Sequence, residues 1–175
     1  MEIFIIGGIL VVIMVIVSTT IKKSAAAAYQ PETIETEDFR IEKPEGFLYP
    51  LRDVPDFPFE AYSNTYGERS TRNIWQARVR LRIFEDSDLE EFVRQIKDGI
   101  ETVDSEKSLD DLPEGQSGVI IRSRKTDDEV DYRILRKIIE TPDHRIFELK
   151  TTLLEPYSDD YSDRICEMMR SFLVK

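Results

Sequence analysis

From Ile3 to Ile21 the chain runs for 19 residues without a formal charge, and no other feature of its 175 residues constrains the architecture as strongly. A helix of that length rises about 29 Å, enough to cross the hydrocarbon core of a bilayer. Isoleucine and valine dominate the run. Their branching is a mild handicap to a helix in water, but in lipid the backbone has no other way to satisfy its hydrogen bonds. The segment also lacks a polar face that a water-exposed helix would need. A single transmembrane anchor over residues 1–23 is therefore expected.

The competing reading is a cleaved secretory signal, for which "SAAAAY" at Ser24 to Tyr29 offers small residues. Such signals place basic residues before a shorter apolar run; here only Met1 and Glu2 precede it, while Lys22 and Lys23 follow. The same lysines, by the positive-inside bias, put the remainder of the chain in the cytoplasm. Residues 24–37, "SAAAAYQPETIETE", have few apolar anchors and read as a linker, with a reach of about 45 Å if extended.

One folded domain is expected over residues 38–175, since what remains is long enough for one core and short for two. The whole chain carries −11; from Ser24 onward, 34 acidic and 22 basic side chains leave −12. A surface of that sign repels nucleic acid and anionic lipid on average. The single cysteine, Cys166, has no partner for an internal disulfide.

Within the domain, "DFRIEK" alternates as a first strand and runs into a Pro44-Glu45-Gly46 turn. A stretch interrupted by Pro50, Pro55 and Pro58, with Phe57, Phe59, Tyr62 and Tyr66, suggests short strands or a covering loop. "NIWQARVRLRIF" is the clearest strand: Trp75, Ala77, Val79, Leu81 and Ile83 are expected to point one way, and Gln76, Arg78, Arg80 and Arg82 the other. Ser87 with Glu90 forms a capping-box pattern, and Leu89, Phe92, Val93, Ile96, Ile100 and Val103 follow at helical spacing, with Gly99 able to end the helix. Residues 104–118 read as an acidic surface loop. Three strands follow, "VIIRSRK", "VDYRILRKIIE" and "RIFELKTTLL", the last two joined by the turn "TPDH". The middle one breaks alternation, which predicts a bulge or burial on both faces. A terminal helix capped by Ser158 or Asp159 presents Tyr161, Ile165, Met168, Met169 and Phe172 on one stripe. Strands, helix, strands, helix without βαβ alternation predict an α+β fold: a mainly antiparallel β-sheet flanked by helices, preceded by the transmembrane helix.

The entry "DFRIEKPEGF", the strand-to-helix passage "IWQARVRLRIFEDSDLEEFVRQI", the strand meander and the closing "EMMRSFLVK" together resemble the PsbP-like domains, named for the extrinsic photosystem protein. The resemblance spans Asp38 to Lys175, and its strongest members are Pro44, Gly46, Ser171 and Phe172. It implies an antiparallel sheet flanked by helices and a non-enzymatic role in binding or assembly; it carries over no catalytic residues. Many such domains act outside the cytoplasm as soluble or lipid-anchored proteins, from which a spanning helix followed by lysines departs.

Little in the chain suggests catalysis. The one histidine, His144, falls in a hairpin turn, and a turn histidine is ordinarily solvated. Cys166 borders the apolar stripe of the last helix and reads as a small buried hydrophobe. Asp127, Asp128, Glu129 and Asp131, and again Asp159, Asp160 and Asp163, do not fit a calcium loop. No phosphate loop, zinc spacing or nucleophile elbow is present. No cofactor or metal is therefore expected, and a hydrolase using acidic residues is the weakest of three readings. The other two are a membrane-anchored, non-enzymatic interaction domain with a protein partner, and a secreted or periplasmic binding protein. The suggestive array is Arg78, Arg80 and Arg82 on one strand face, extended by Arg122 and Arg124 on another strand, as a grip for an acidic partner. Its structural alternative is cross-strand pairing with acids such as Glu148.

Overall fold

The computed structural model describes residues 13–20, 26–49, 56–63, 74–99 and 101–175. Of the expected span Ile3–Ile21, only 13–20 fall among them; these are helical and exposed, and the rest of the span, with Lys22 and Lys23, lies outside the described residues. Among the described residues no helix is long and apolar enough to cross a membrane.

Among the described residues nine strands and two main helices follow. Strand β1 is Glu32–Glu35, β2 Phe39–Lys43, β3 Phe59–Tyr62 and β4 Ala77–Phe84. Helix α1 is Leu89–Lys97, and β5 Thr102–Ser108, β6 Ser117–Asp127, β7 Val130–Glu140 and β8 Ile146–Leu154 come next. A 3-10 turn, Glu155–Tyr157, leads into α2, Ser158–Ser171, and β9 is Leu173–Val174. The strands make a six-stranded sheet in the order β3-β4-β8-β7-β6-β5 and a three-stranded sheet in the order β1-β2-β9. All pairings are antiparallel, so the fold is α+β as expected.

Each face of the large sheet has its own cover. Ala77, Val79 and Leu81 of β4, with Phe147, Leu149 and Leu153 of β8, meet Tyr161, Ile165, Met168, Met169 and Phe172 from α2 and its end. Ile34, Phe39, Ile41 and Val174 of the small sheet join the same cluster. On the opposite face α1 sets Val93 against Val119, Ile121, Ile138 and Ile146. Strand β7 is thus buried from both sides along its second half, Ile138 toward α1 and Ile139 toward α2, which is why its alternation breaks. The register shift lies in β5 instead, between Val103 and Ser105.

Several boundaries differ from the sequence reading. Residues 32–35, assigned to the linker, form β1 and pair Ile34 with Ile41; Ile34 is the one apolar anchor in that stretch, and it is buried. The Lys43 side chain, 1% exposed, donates its ammonium to the carbonyls of Ala28, Gln30 and Phe47, so the chain is held to the domain from Ala28 onward. Burial pushes this ammonium below its ordinary pKa. Residues 104–108, read as loop, belong to β5, a polar edge strand whose charges serve against edge-to-edge pairing and hide it from a hydrophobic pattern. Helix α1 is capped by Asp88, which accepts from the Glu91 N–H at 3.0 Å, rather than by Ser87. It ends at Lys97, and Val103 lies in β5. No side chain caps α2, because the 3-10 turn feeds directly into it.

Candidate functional site

Register decides where the five arginines go. Across β4, β8, β7 and β6 the side chains of Arg80, Lys150, Arg136 and Ile121 stand in one row, and those of Val79, Thr151, Leu135 and Arg122 in the next. Neighbouring rows point to opposite faces. Arg78, Arg80 and Arg82 therefore share the α1 face, whereas Arg122 and Arg124 lie on the α2 face. The structure does not bring the expected array together.

On the α1 face every arginine of the stripe is already engaged. Arg78 and Arg80 converge on one carboxylate, Glu60 of β3, with Nε to Oε1 distances of 2.7 and 3.0 Å. Arg82 meets Glu148 at 2.6 to 2.8 Å, the cross-strand pair that was the structural alternative. Each guanidinium also lies over a ring: Arg78 over Trp75 at 4.4 Å, Arg80 over Phe57 at 4.6 Å and Arg82 over Phe84 at 5.3 Å. Beneath them Arg136, 4% exposed, bridges Glu148 at 2.9 Å and both oxygens of Glu101. Burial raises the Glu101 carboxyl, but hydrogen bonds and charge from Arg136, aided by Ser123 and Lys150, prevail and hold it at about 2. Sequence reasoning did not find Arg136 or Glu101, since neither sits in an alternating pattern that marks a polar face.

The α2 face is different. Helix α2 and the small sheet cover the sheet at β4, β8 and β7, and beside them a groove runs along α2 over β7, β6 and β5. It consists of two adjoining cavities of about 450 and 470 Å³ that share Arg122, Leu135 and Cys166. Leu135, Ile165 and Met169 give it an apolar floor. Arg124 stands directly opposite Arg133, and each is neutralised: Arg124 by Asp104 at 2.9 Å, Arg133 by Glu155 at 2.6 Å. Their guanidinium pKa values are raised by those hydrogen bonds. Arg122, exposed two residues earlier, has no ion-pair partner among the described residues. Lys107 on β5 and Arg170 on α2 line the same groove and are likewise unpaired among the described residues.

The groove's inner wall is held by Lys137. Its ammonium donates to the carbonyls of Met169 and Phe172 at 2.9 and 2.8 Å, closing the C-terminal end of α2. Burial pushes its pKa below the ordinary lysine value. Cys166 is half-buried at the middle of the groove. His144 stands exposed in the β7–β8 turn at positive φ. Among the described residues no three His, Cys, Asp or Glu side chains are placed to hold a metal. Arg122 was legible as a candidate but was grouped with the wrong neighbours; Lys107 and Arg170 carried no signal, one lying in an apparent loop and the other on the polar side of a helix.

No family model matches the chain, and no curated protein sequence does. Solved structures do. The chain is similar to cyanobacterial PsbP (CyanoP) from Synechocystis sp. PCC 6803 with a TM-score of 0.55 and 12% identity, over 84% of this chain and 94% of that one. It is similar to LpqN, involved in cell envelope biogenesis of Mycobacterium tuberculosis, with a TM-score of 0.57 and 10% identity, over 83% of this chain and 91% of that one. Identities this low speak for the fold alone, and the fold is PsbP-like.

Proposed function

We propose that this chain is a single-pass membrane protein presenting a non-catalytic interaction domain, on the cytoplasmic side, to a protein partner in the assembly of a membrane-associated complex. The observation that carries the interaction role is the groove beside α2, where Lys107, Arg122 and Arg170 are left without acidic partners among the described residues beside an apolar floor. Such a surface suits binding: it offers charge for orientation and apolar area for affinity, while convergent acid, base and nucleophile are what catalysis would ask for. Likeness of fold to CyanoP and to LpqN supports an accessory role. The uncharged run Ile3–Ile21 supports the anchor, and Lys22 and Lys23 support the orientation.

Carbonate extraction followed by intact-mass measurement tests the anchor. The expected result is a chain of 20.4 kDa retained in the membrane pellet. A shorter chain beginning near Ala28 in the soluble fraction would replace this reading with a released binding protein.

A further inference from the structure

We infer that the groove along α2 docks an acidic, extended segment of a partner protein, whose carboxylates pair with Lys107, Arg122 and Arg170 and whose apolar side chains cover Leu135, Met169 and Leu173. This rests on the interaction-domain reading and adds to it the place and chemistry of the contact.

Four observations converge on one groove. First, Arg122 is flanked by Arg124 and faces no acid among the described residues, in a chain with an excess of acids that neutralises Arg78, Arg80, Arg82, Arg124 and Arg136. An arginine left bare where carboxylates are plentiful keeps its fork open for another molecule's carboxylate. Second, Leu173 is 53% exposed and is the one large apolar side chain so exposed among the described residues after position 20; it lines this cavity. Third, Leu109, Leu112 and Ile120 line the same cavity and add apolar area beside the cations. Fourth, the groove follows a helix of 14 residues, about 21 Å, the length of roughly six residues of extended chain.

A lipid surface fits less well. The cations lie in a recess, Asp110 and Asp111 stand on the loop wall at one end, and the net charge of −11 opposes approach to an anionic bilayer. The same net charge discourages acidic partners everywhere except at such a groove, which gives specificity by repulsion elsewhere.

The full chain, reconstituted in phosphatidylcholine nanodiscs, is titrated with three fluorescein-labelled eight-residue peptides in which leucine alternates with glutamate, glutamine or lysine. The glutamate peptide is expected to bind at least about tenfold tighter than the others, to weaken as salt rises, and to lose about tenfold or more when Lys107→Gln, Arg122→Gln and Arg170→Gln are combined. Circular dichroism confirms that the variant is folded, and Arg122→Lys alone retains most of the binding. No binding of the glutamate peptide, equal binding of all three, or unchanged binding by the folded triple variant would overturn the inference. A benzophenone photo-crosslinker placed at Leu173, and separately at Glu90 on the α1 side, then distinguishes the two readings in native membranes. Protein adducts from Leu173 but not Glu90 are expected. Adducts from Glu90 alone sink the groove and leave the interaction role standing. Lipid adducts from Leu173 assign the groove to the bilayer instead, and adducts from neither position sink both readings.

Discussion

On the α1 side of the large sheet Arg78, Arg80, Arg82 and Arg136 each end on a carboxylate, whereas on the α2 side Arg122, exposed beside the paired Arg124, has no ion-pair partner among the described residues. The two sides belong to one sheet, but β4 and β7 supply the arginines of the first and β6 and β7 those of the second. What separates them is the acid opposite: Glu60, Glu148 and Glu101 face the first set, while among the described residues Asp104, Glu155 and Asp159 reach Arg124 and Arg133 but leave Arg122 unanswered. The lesson is that a stripe of arginines in a sequence reports neither a binding face nor a structural one until its cross-strand partners are known. Charge that is answered within the chain holds the sheet together, and charge that is not answered is available to others.

This contrast can be broken at its most buried point. Glu148 is 1% exposed and serves both Arg82 and Arg136, so Glu148→Ala is expected to destabilise the domain by about 3–5 kcal/mol in urea unfolding, by stranding a buried guanidinium. Next in size, Glu101 gives the α1 side an acid-labile component. Its carboxyl is held at about 2 against an ordinary 4.5, so its contribution is complete above pH 4.5 and is lost as pH falls toward 2. The loss is on the order of 2–3 kcal/mol, and Glu101→Gln should flatten that part of the stability profile. Lys137→Met, which frees the Met169 and Phe172 carbonyls, should cost about 1–3 kcal/mol and raise hydrogen exchange at the end of α2. Smallest of all, Arg122→Gln should change stability by no more than about 0.5 kcal/mol, because among the described residues no hydrogen bond or ion pair depends on it. A large loss there would mean that the two sides do not differ as described.

Much of the fold was legible because the strands around the core announce themselves. Val79, Leu81, Phe147 and Leu149 alternate, and Tyr161, Ile165 and Met168 repeat at helical spacing, so β4, β8 and α2 could be placed from pattern alone. Strands without an apolar rhythm were missed: β5 has only Val103, and β1 only Ile34. The candidate site was less legible still, since it depends on register. A shift of one residue between β6 and β7 would have put Arg122 on the α1 face, in line with Arg80 three strands away; no local pattern in "VIIRSRK" specifies which pairing holds. Lys107 and Arg170 come from an edge strand and a helix brought together only by the tertiary fold.

The grip of Lys43 on the carbonyls of Ala28 and Gln30 shortens the mooring of the domain. With Ile3–Ile21 in the bilayer, as proposed, the path from Ile21 to Ala28 spans about 25 Å at full stretch, not the reach of a free fourteen-residue leash. A domain berthed that closely sweeps only a thin shell above the lipid, so a partner embedded in the same membrane meets it only where its own exposed segment lies within that shell.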